Sequence, residues 1–211
     1  MASGQWSVNR DHFQLTHEQL ITGHRQLISM AAYIAMLRGI NIGPHKRIKM
    51  EQLRESFAEL GFVEIKTYIQ SGNVVFKSEK ASPASLGRKI EKRLLGDFGF
   101  SVSVILRTQE EIEKVIRGNP MLKEKGVDTS KLHVAFLSDV PASAALGKLQ
   151  ALTLAPDEAH CLGKELYLYF PNGVSGSSLW KHPLDRVLSV VTTMRNWNTV
   201  NQLCAMARDL S

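Results

Sequence analysis

The side chains best suited to holding a ligand fall in three short polar stretches. The first, Arg38-Gly39-Ile40-Asn41-Ile42-Gly43-Pro44-His45-Lys46-Arg47-Ile48-Lys49, leaves an apolar run and leads into a helical pattern. A loop placed there can aim backbone amides and the positive end of a helix dipole at an anion. Its glycines permit tight turns; Arg38, Lys46, Arg47 and Lys49 add charge, and Asn41 adds an amide. It is not a P-loop, which needs Gly-Lys-Ser/Thr. Nor is it a dinucleotide fingerprint, because Asn41 stands where the middle glycine belongs. The competing reading is a plain strand-to-helix connection with solvated cations.

The second stretch is Gln70-Ser71-Gly72-Asn73. Gly-Asn between two strand patterns is a favoured two-residue hairpin turn, which leaves Gln70 and Asn73 able to offer amides to a ligand. The third is Thr192-Thr193-Met194-Arg195-Asn196-Trp197-Asn198-Thr199. Thr199 and Gln202 have capping-box spacing, so part of this polarity caps a last helix. Arg195, Asn196 and Asn198 exceed what one cap requires. An arginine at a helix start can clamp a phosphate or carboxylate, and Trp197 beside it either stacks on a base or belongs to the core.

Catalytic constellations are scarce. The chain has no Gly-x-Ser-x-Gly elbow, no His-Glu-x-x-His and no Cys-x-x-Cys, so no metal and no cofactor is expected. Ser178-Leu179-Trp180-Lys181 has Ser-x-x-Lys spacing without the companion motifs of acylating serine enzymes. His133, inside an apolar run, reads as a satisfied core residue.

The elements that must position these stretches follow one order twice. Tyr33–Leu37 is an unbroken apolar run typical of a strand covered on both faces. Met50, Leu53, Phe57 and Leu60 recur at helical spacing before Gly61. Val63, Ile65, Thr67 and Ile69 alternate with polar residues, Val74–Phe76 pairs back, and a helix opens at Pro83. A strand around Val102–Leu106 and a short helix through Ile112–Ile116 complete the unit. This β-α-β-β-α-β order is the split βαβ of a ferredoxin-like unit. After a polar linker at 120–131, the order returns: a strand at His133–Leu137 and a helix through Ala145–Leu152. A hairpin about Gly163, a helix within Ser178–Leu188, a strand at Val190–Met194 and a helix from Val200 follow. Pro183 either starts or kinks the helix in which it lies. The expected fold is therefore α+β, a tandem repeat of two ferredoxin-like subdomains at 31–119 and 132–211, preceded by a short helical arm at 1–30.

The 211 residues include 44% apolar and 22% charged side chains, the composition of a soluble globular protein. Two cysteines exclude a disulfide scaffold, and no apolar run approaches the ~18 residues of a membrane span. The arm lacks a cationic segment leading into an apolar one, so a cytoplasmic location is expected. The net charge is +6, and residues 31–118 hold 15 basic against 10 acidic side chains. A modest basic surface favours anions without specifying one.

Leu37-Arg38-Gly39-Ile40-Asn41-Ile42-Gly43, Lys49-Met50 with Leu53-Arg54, Thr67 through Phe76, Leu166 through Pro171 and Arg195 through Val200 together resemble a mostly bacterial family, domain of unknown function 1697. The resemblance runs from about Met30 to Leu210. It implies two tandem ferredoxin-like subdomains and transfers no catalytic residues. Pro44-His45 departs from the family's more usual glycine and polar residue after Gly43, and residues 1–30 lie outside the pattern.

The palette of Arg, Asn, Gln, Gly and Trp suits anions and hydrogen-bonding ligands and is short of bases and nucleophiles. The expectation is a protein binding a phosphate-bearing ligand, a nucleotide or nucleic acid, where 38–49, 70–73 and 195–199 meet between the subdomains. One alternative is an enzyme in which Arg195 holds an anionic substrate and Gln70 or Asn73 orients water or an oxyanion. Another is a non-enzymatic interaction module whose glycines and caps serve folding alone.

Overall fold

A computed structural model describes residues 29–123, 126–152 and 154–210. The expected arm, apart from Ser29 and Met30, lies outside them. The first half runs β1 (Met30–Leu37), α1 (Met50–Ala58), β2 (Val63–Tyr68), β3 (Asn73–Glu79), α2 (Pro83–Phe98), β4 (Val104–Thr108) and α3 (Gln109–Arg117). The second runs β5 (Leu132–Leu137), α4 (Ser143–Gln150), β6 (Glu158–Leu162), β7 (Glu165–Tyr169), a 3₁₀ turn Ser178–Lys181, α5 (Leu184–Leu188), β8 (Thr192–Asn196) and α6 (Trp197–Arg208). Each half builds a four-stranded antiparallel sheet, with orders β2-β3-β1-β4 and β6-β7-β5-β8. The protein is thus α+β.

The strand β1 and the run Val134–Leu137 of β5 are wholly apolar because both of their faces are covered. Tyr33, Ala35 and Leu37 of β1 pack with Leu53, Phe57, Ile90 and Leu94 from the helices of their own half. Ile34 and Met36 point the other way, into a core shared with Val134 and Phe136 of β5. Ala135 and Leu137 pack on the second half's own helices. The shared core is closed by α3 and α6, with Ile112, Val115, Trp197, Val200 and Leu203 inside. The Tyr167 hydroxyl donates to the Val115 carbonyl at 3.0 Å, joining β7 to α3. Burial and the nearby Glu165 push that phenol up to about 12.

Several local expectations are corrected. β2 has a register shift between Val63 and Lys66, so strict alternation fails and Val63 and Ile69 are exposed. Tyr68 pairs with Asn73, which makes 69–72 a four-residue turn rather than a two-residue Gly-Asn one. Met121, in the stretch read as a linker, is buried in the shared core. Pro183 divides the expected helix into the turn Ser178–Lys181 and the five-residue α5. Finally, β8 runs two residues past its expected end. Asn196, not Thr199, caps α6, its side chain accepting from the Thr199 N–H at 2.8 Å.

Candidate functional site

The pairing of β1 with β4 matches that of β5 with β8 position for position. Leu37 pairs with Val104 at the end of β1, as Leu137 pairs with Thr192 at the end of β5. Arg107 and Arg195 occupy matching places, opposite Ile34 and Val134. Each reaches across to the other half. The Arg195 guanidinium donates from Nη2 to the Leu37 carbonyl at 2.8 Å and the Ser71 carbonyl at 3.2 Å, and from Nη1 to Thr193 Oγ1 and the Met194 carbonyl at 2.8 Å. Its Nε donates to Asn73 Oδ1 at 2.5 Å. Arg107 donates from Nη2 to the Leu137 carbonyl at 2.9 Å and the Lys164 carbonyl at 3.1 Å, and from Nη1 to the Leu106 carbonyl at 2.9 Å. Its Nε bonds Glu165 at 2.9 Å. The two arginines form one reciprocal clamp whose Nε partners differ in charge, neutral Asn73 in one case and the carboxylate of Glu165 in the other. Burial draws Arg195 down to about 10, which leaves it charged at neutral pH.

A cleft lies beside each arginine. The larger, about 570 Å³, is bounded by the end of β1 and its loop (Arg38, Ile40, Ile42), by Ser71, and by Trp180, Asp185 and Thr193 of the second half. Arg195 also lines it. Ile42 and Trp180, 76% and 59% exposed, are large apolar side chains left to solvent along it. The Trp180 indole donates to the Val174 carbonyl, which fixes the ring. Arg38 forms an ion pair with Asp185 across the cleft. Asp185 also accepts from the Thr192 N–H at 2.8 Å and the Thr192 hydroxyl at 2.6 Å, capping the start of β8.

The counterpart cleft, about 340 Å³, holds α2, β4, Ser138 and Lys164. Glu91 there accepts from the Val104 N–H at 2.8 Å, the same service for β4 that Asp185 performs for β8. In the place of Arg38 stands Ser138, whose hydroxyl accepts from the Val191 N–H at 3.1 Å, and the cations Arg88 and Lys164 line the same cleft.

Of the residues singled out by the sequence, Arg38 and Arg195 line one cleft, and Asn73 stands directly behind it. The others serve the frame. Asn41 donates to the Ile48 and Gln70 carbonyls at 3.0 and 2.8 Å and accepts from the Ile48 N–H, tying the loop to the turn. Lys46 donates to the Ser101 carbonyl at 3.0 Å and Lys49 is exposed at the start of α1; neither lines the cleft. Gln70 is exposed in its turn. Asn73 is fully buried, donating to the Tyr68 carbonyl and Ser71 Oγ at 3.1 Å while holding Arg195. Asn196 is a cap, Trp197 is core, and Asn198 is exposed in the first turn of α6. Sequence reasoning missed Asp185, Ile42 and Trp180. The signals were an acidic residue just past a helix-breaking proline, and apolar side chains flanked by loop residues. His133 is half-buried and edge-on to Phe170, with its pKa held down by burial. No group of three or more His, Cys, Asp or Glu able to hold a metal occurs among the described residues.

Fold and site together define an α+β protein of two antiparallel sheets with a charged cleft between its halves. The chain belongs to the family described as protein of unknown function (DUF1697), whose model matches residues 30–167. Among solved structures it is similar to the conserved bacterial protein SP0830 from Streptococcus pneumoniae, at 24% identity and a TM-score of 0.68, covering 85% of this chain and 99% of that one. The likeness extends to the fold. No curated protein matches the chain.

Proposed function

We propose that the larger cleft binds a phosphate-bearing nucleotide between two halves that are tandem ferredoxin-like subdomains. The subdomain reading rests on the shared element order and on the identical strand order of both sheets. The observation that carries the ligand class is positive charge that the frame does not demand. Arg38 stands in the place of Ser138, and Arg195 has a neutral partner where Arg107 has Glu165, whereas the counterpart cleft sets Arg88, Arg107 and Lys164 against the two carboxylates Glu91 and Glu111. Two arginines therefore face one carboxylate, Asp185, in a confined space. A volume near 570 Å³ suits a small organic ligand. Trp180 and Ile42 offer a flat apolar surface for a base, and Arg38 a forked donor for a phosphate. Arg195 contributes field rather than hydrogen bonds, since its N–H groups are already engaged. The protein acts in the bacterial cytoplasm on this reading, in keeping with its two free cysteines.

Fluorescence titration with AMP, ADP and a short single-stranded RNA tests the proposal, with Trp180→Phe identifying the responding ring. A saturable change with ADP that weakens as salt rises is expected. Arg38→Ala should weaken it by about tenfold or more, the loss of a charge-assisted hydrogen bond. RNA binding without mononucleotide binding would reassign the ligand to nucleic acid. The absence of a saturable response to all three at low salt would contradict the proposal.

A further inference from the structure

We infer that Asp185 is a built-in competitor for the ligand's anionic group, so that the Arg38–Asp185 pair is a clasp that binding must open. The inference rests on the nucleotide reading of this cleft. Three observations carry it. First, Asp185 is anchored independently of Arg38, because the N–H and hydroxyl of Thr192 hold its Oδ1 at 2.8 and 2.6 Å. It is Oδ2 that meets the Arg38 guanidinium. Second, the counterpart carboxylate Glu91 caps β4 through the Val104 N–H and makes no ion pair among the described residues, although Arg88 and Lys164 line the same cleft, so the capping duty does not require a paired cation. The pair with Arg38 is an addition to a carboxylate that folding already placed. Third, the two side chains differ in freedom. Arg38 is 47% exposed on a long flexible stem, whereas Asp185 is 27% exposed and doubly hydrogen-bonded. When an anion enters, the arginine is the member that moves.

An occupied clasp has two consequences. The cleft rests with its mobile cation neutralised, which disfavours weak or diffuse anions. An entering phosphate must replace the carboxylate on Arg38 while Asp185, held in place, repels it at close range. A compact dianion meets that demand better than a single carboxylate does.

The test uses Asp185→Asn, because the amide oxygen still accepts both Thr192 bonds while the charge disappears. Inorganic pyrophosphate, titrated calorimetrically into the wild-type protein and the variant at low salt, isolates the clasp from base recognition. The variant should bind pyrophosphate about tenfold more tightly, and Arg38→Met in the same background should abolish the gain. Equal titrations of wild type and Asp185→Asn, whether both bind or neither does, overturn the clasp. The nucleotide reading fails separately, when pyrophosphate distinguishes the two proteins but ADP binds no more tightly than pyrophosphate to either. Thermal melting of Asp185→Asn within a few degrees of wild type shows that the β8 cap has survived.

Discussion

The two clefts differ less in their frame than in what faces into it. Behind each stands an arginine from the last strand of one half, gripping the carbonyl that ends the first strand of the other and the carbonyl of a hairpin turn. Beside each, a carboxylate caps the first N–H of that last strand. The arginine clamps hold the halves together, and each carboxylate cap lies within one half. Arg38, the neutral clamp partner Asn73 and the exposed Trp180 and Ile42 belong to one side only. The matching strand orders of the two sheets thus allow a comparison, separating residues that recur in both frames from those found beside one cleft.

Loss of a clamp should have the largest effect. Arg195→Leu leaves the Leu37 and Ser71 carbonyls and Asn73 without their buried donor, costing about 3 kcal/mol or more. Arg107→Leu strands Glu165 together with two carbonyls and should cost a similar amount. Urea unfolding of both variants checks this. A lysine in either position should rescue little, because an ammonium cannot reach the forked set of acceptors.

Next come the two hairpin turns. A Cβ at Gly72 would lie 2.7 Å from Ile40 Cδ1 and 2.8 Å from Leu37 Cβ, at φ +78. Gly163, at φ +63, has open space around it. Gly72→Ala should therefore destabilise by about 2–3 kcal/mol and Gly163→Ala by about 1 kcal/mol, read from their melting curves. Equal losses would show that backbone strain alone, and not the fit of the turn against β1, sets the difference.

Arg38→Ala should lower stability by less than about 1 kcal/mol, because its ion pair is substantially exposed, while weakening ligand binding by about tenfold or more. A large loss of stability would move Arg38 into the frame and erase its contrast with Ser138. The smallest effect concerns pH. His133 is held below its ordinary pKa by burial, so the unfolded chain takes up the proton first on acidification. Stability from this site is complete above about pH 7 and declines as pH falls through the unfolded value near 6.5. His133→Phe, which keeps the ring packed near Phe170, should flatten that part of the pH-stability curve.

Apolar periodicity made most of the architecture readable in advance. β1, β5, α1 and α2 announce themselves because burial on one or both faces dictates side-chain type at fixed spacing. β8 slipped by two residues because Arg195, a strand residue with its charge in the interior, looks like loop chemistry in a string of letters. The same ambiguity governed the site. Asn41, Asn73, Arg195 and Asn196 stand out as ligand-binding types, yet each satisfies backbone groups or a partner side chain of the chain itself. A buried polar clamp and a binding site draw on the same residues, and only the position of the acceptors tells them apart. Asp185 was hidden for the opposite reason. Its meeting with Arg38 depends on the break at Pro183 and on the packing of two halves far apart in sequence.

The sharpest test is chemical-shift mapping of isotopically labelled protein titrated with ADP, because it reports both clefts in one experiment. Perturbations should gather at residues 38–42, 179–185 and 192–195, with Ser138, Lys164 and the first turns of α2 unmoved. Equal shifts around both clefts, or shifts confined to residues lining neither, would contradict the claim that the cleft beside Arg195 is the binding site.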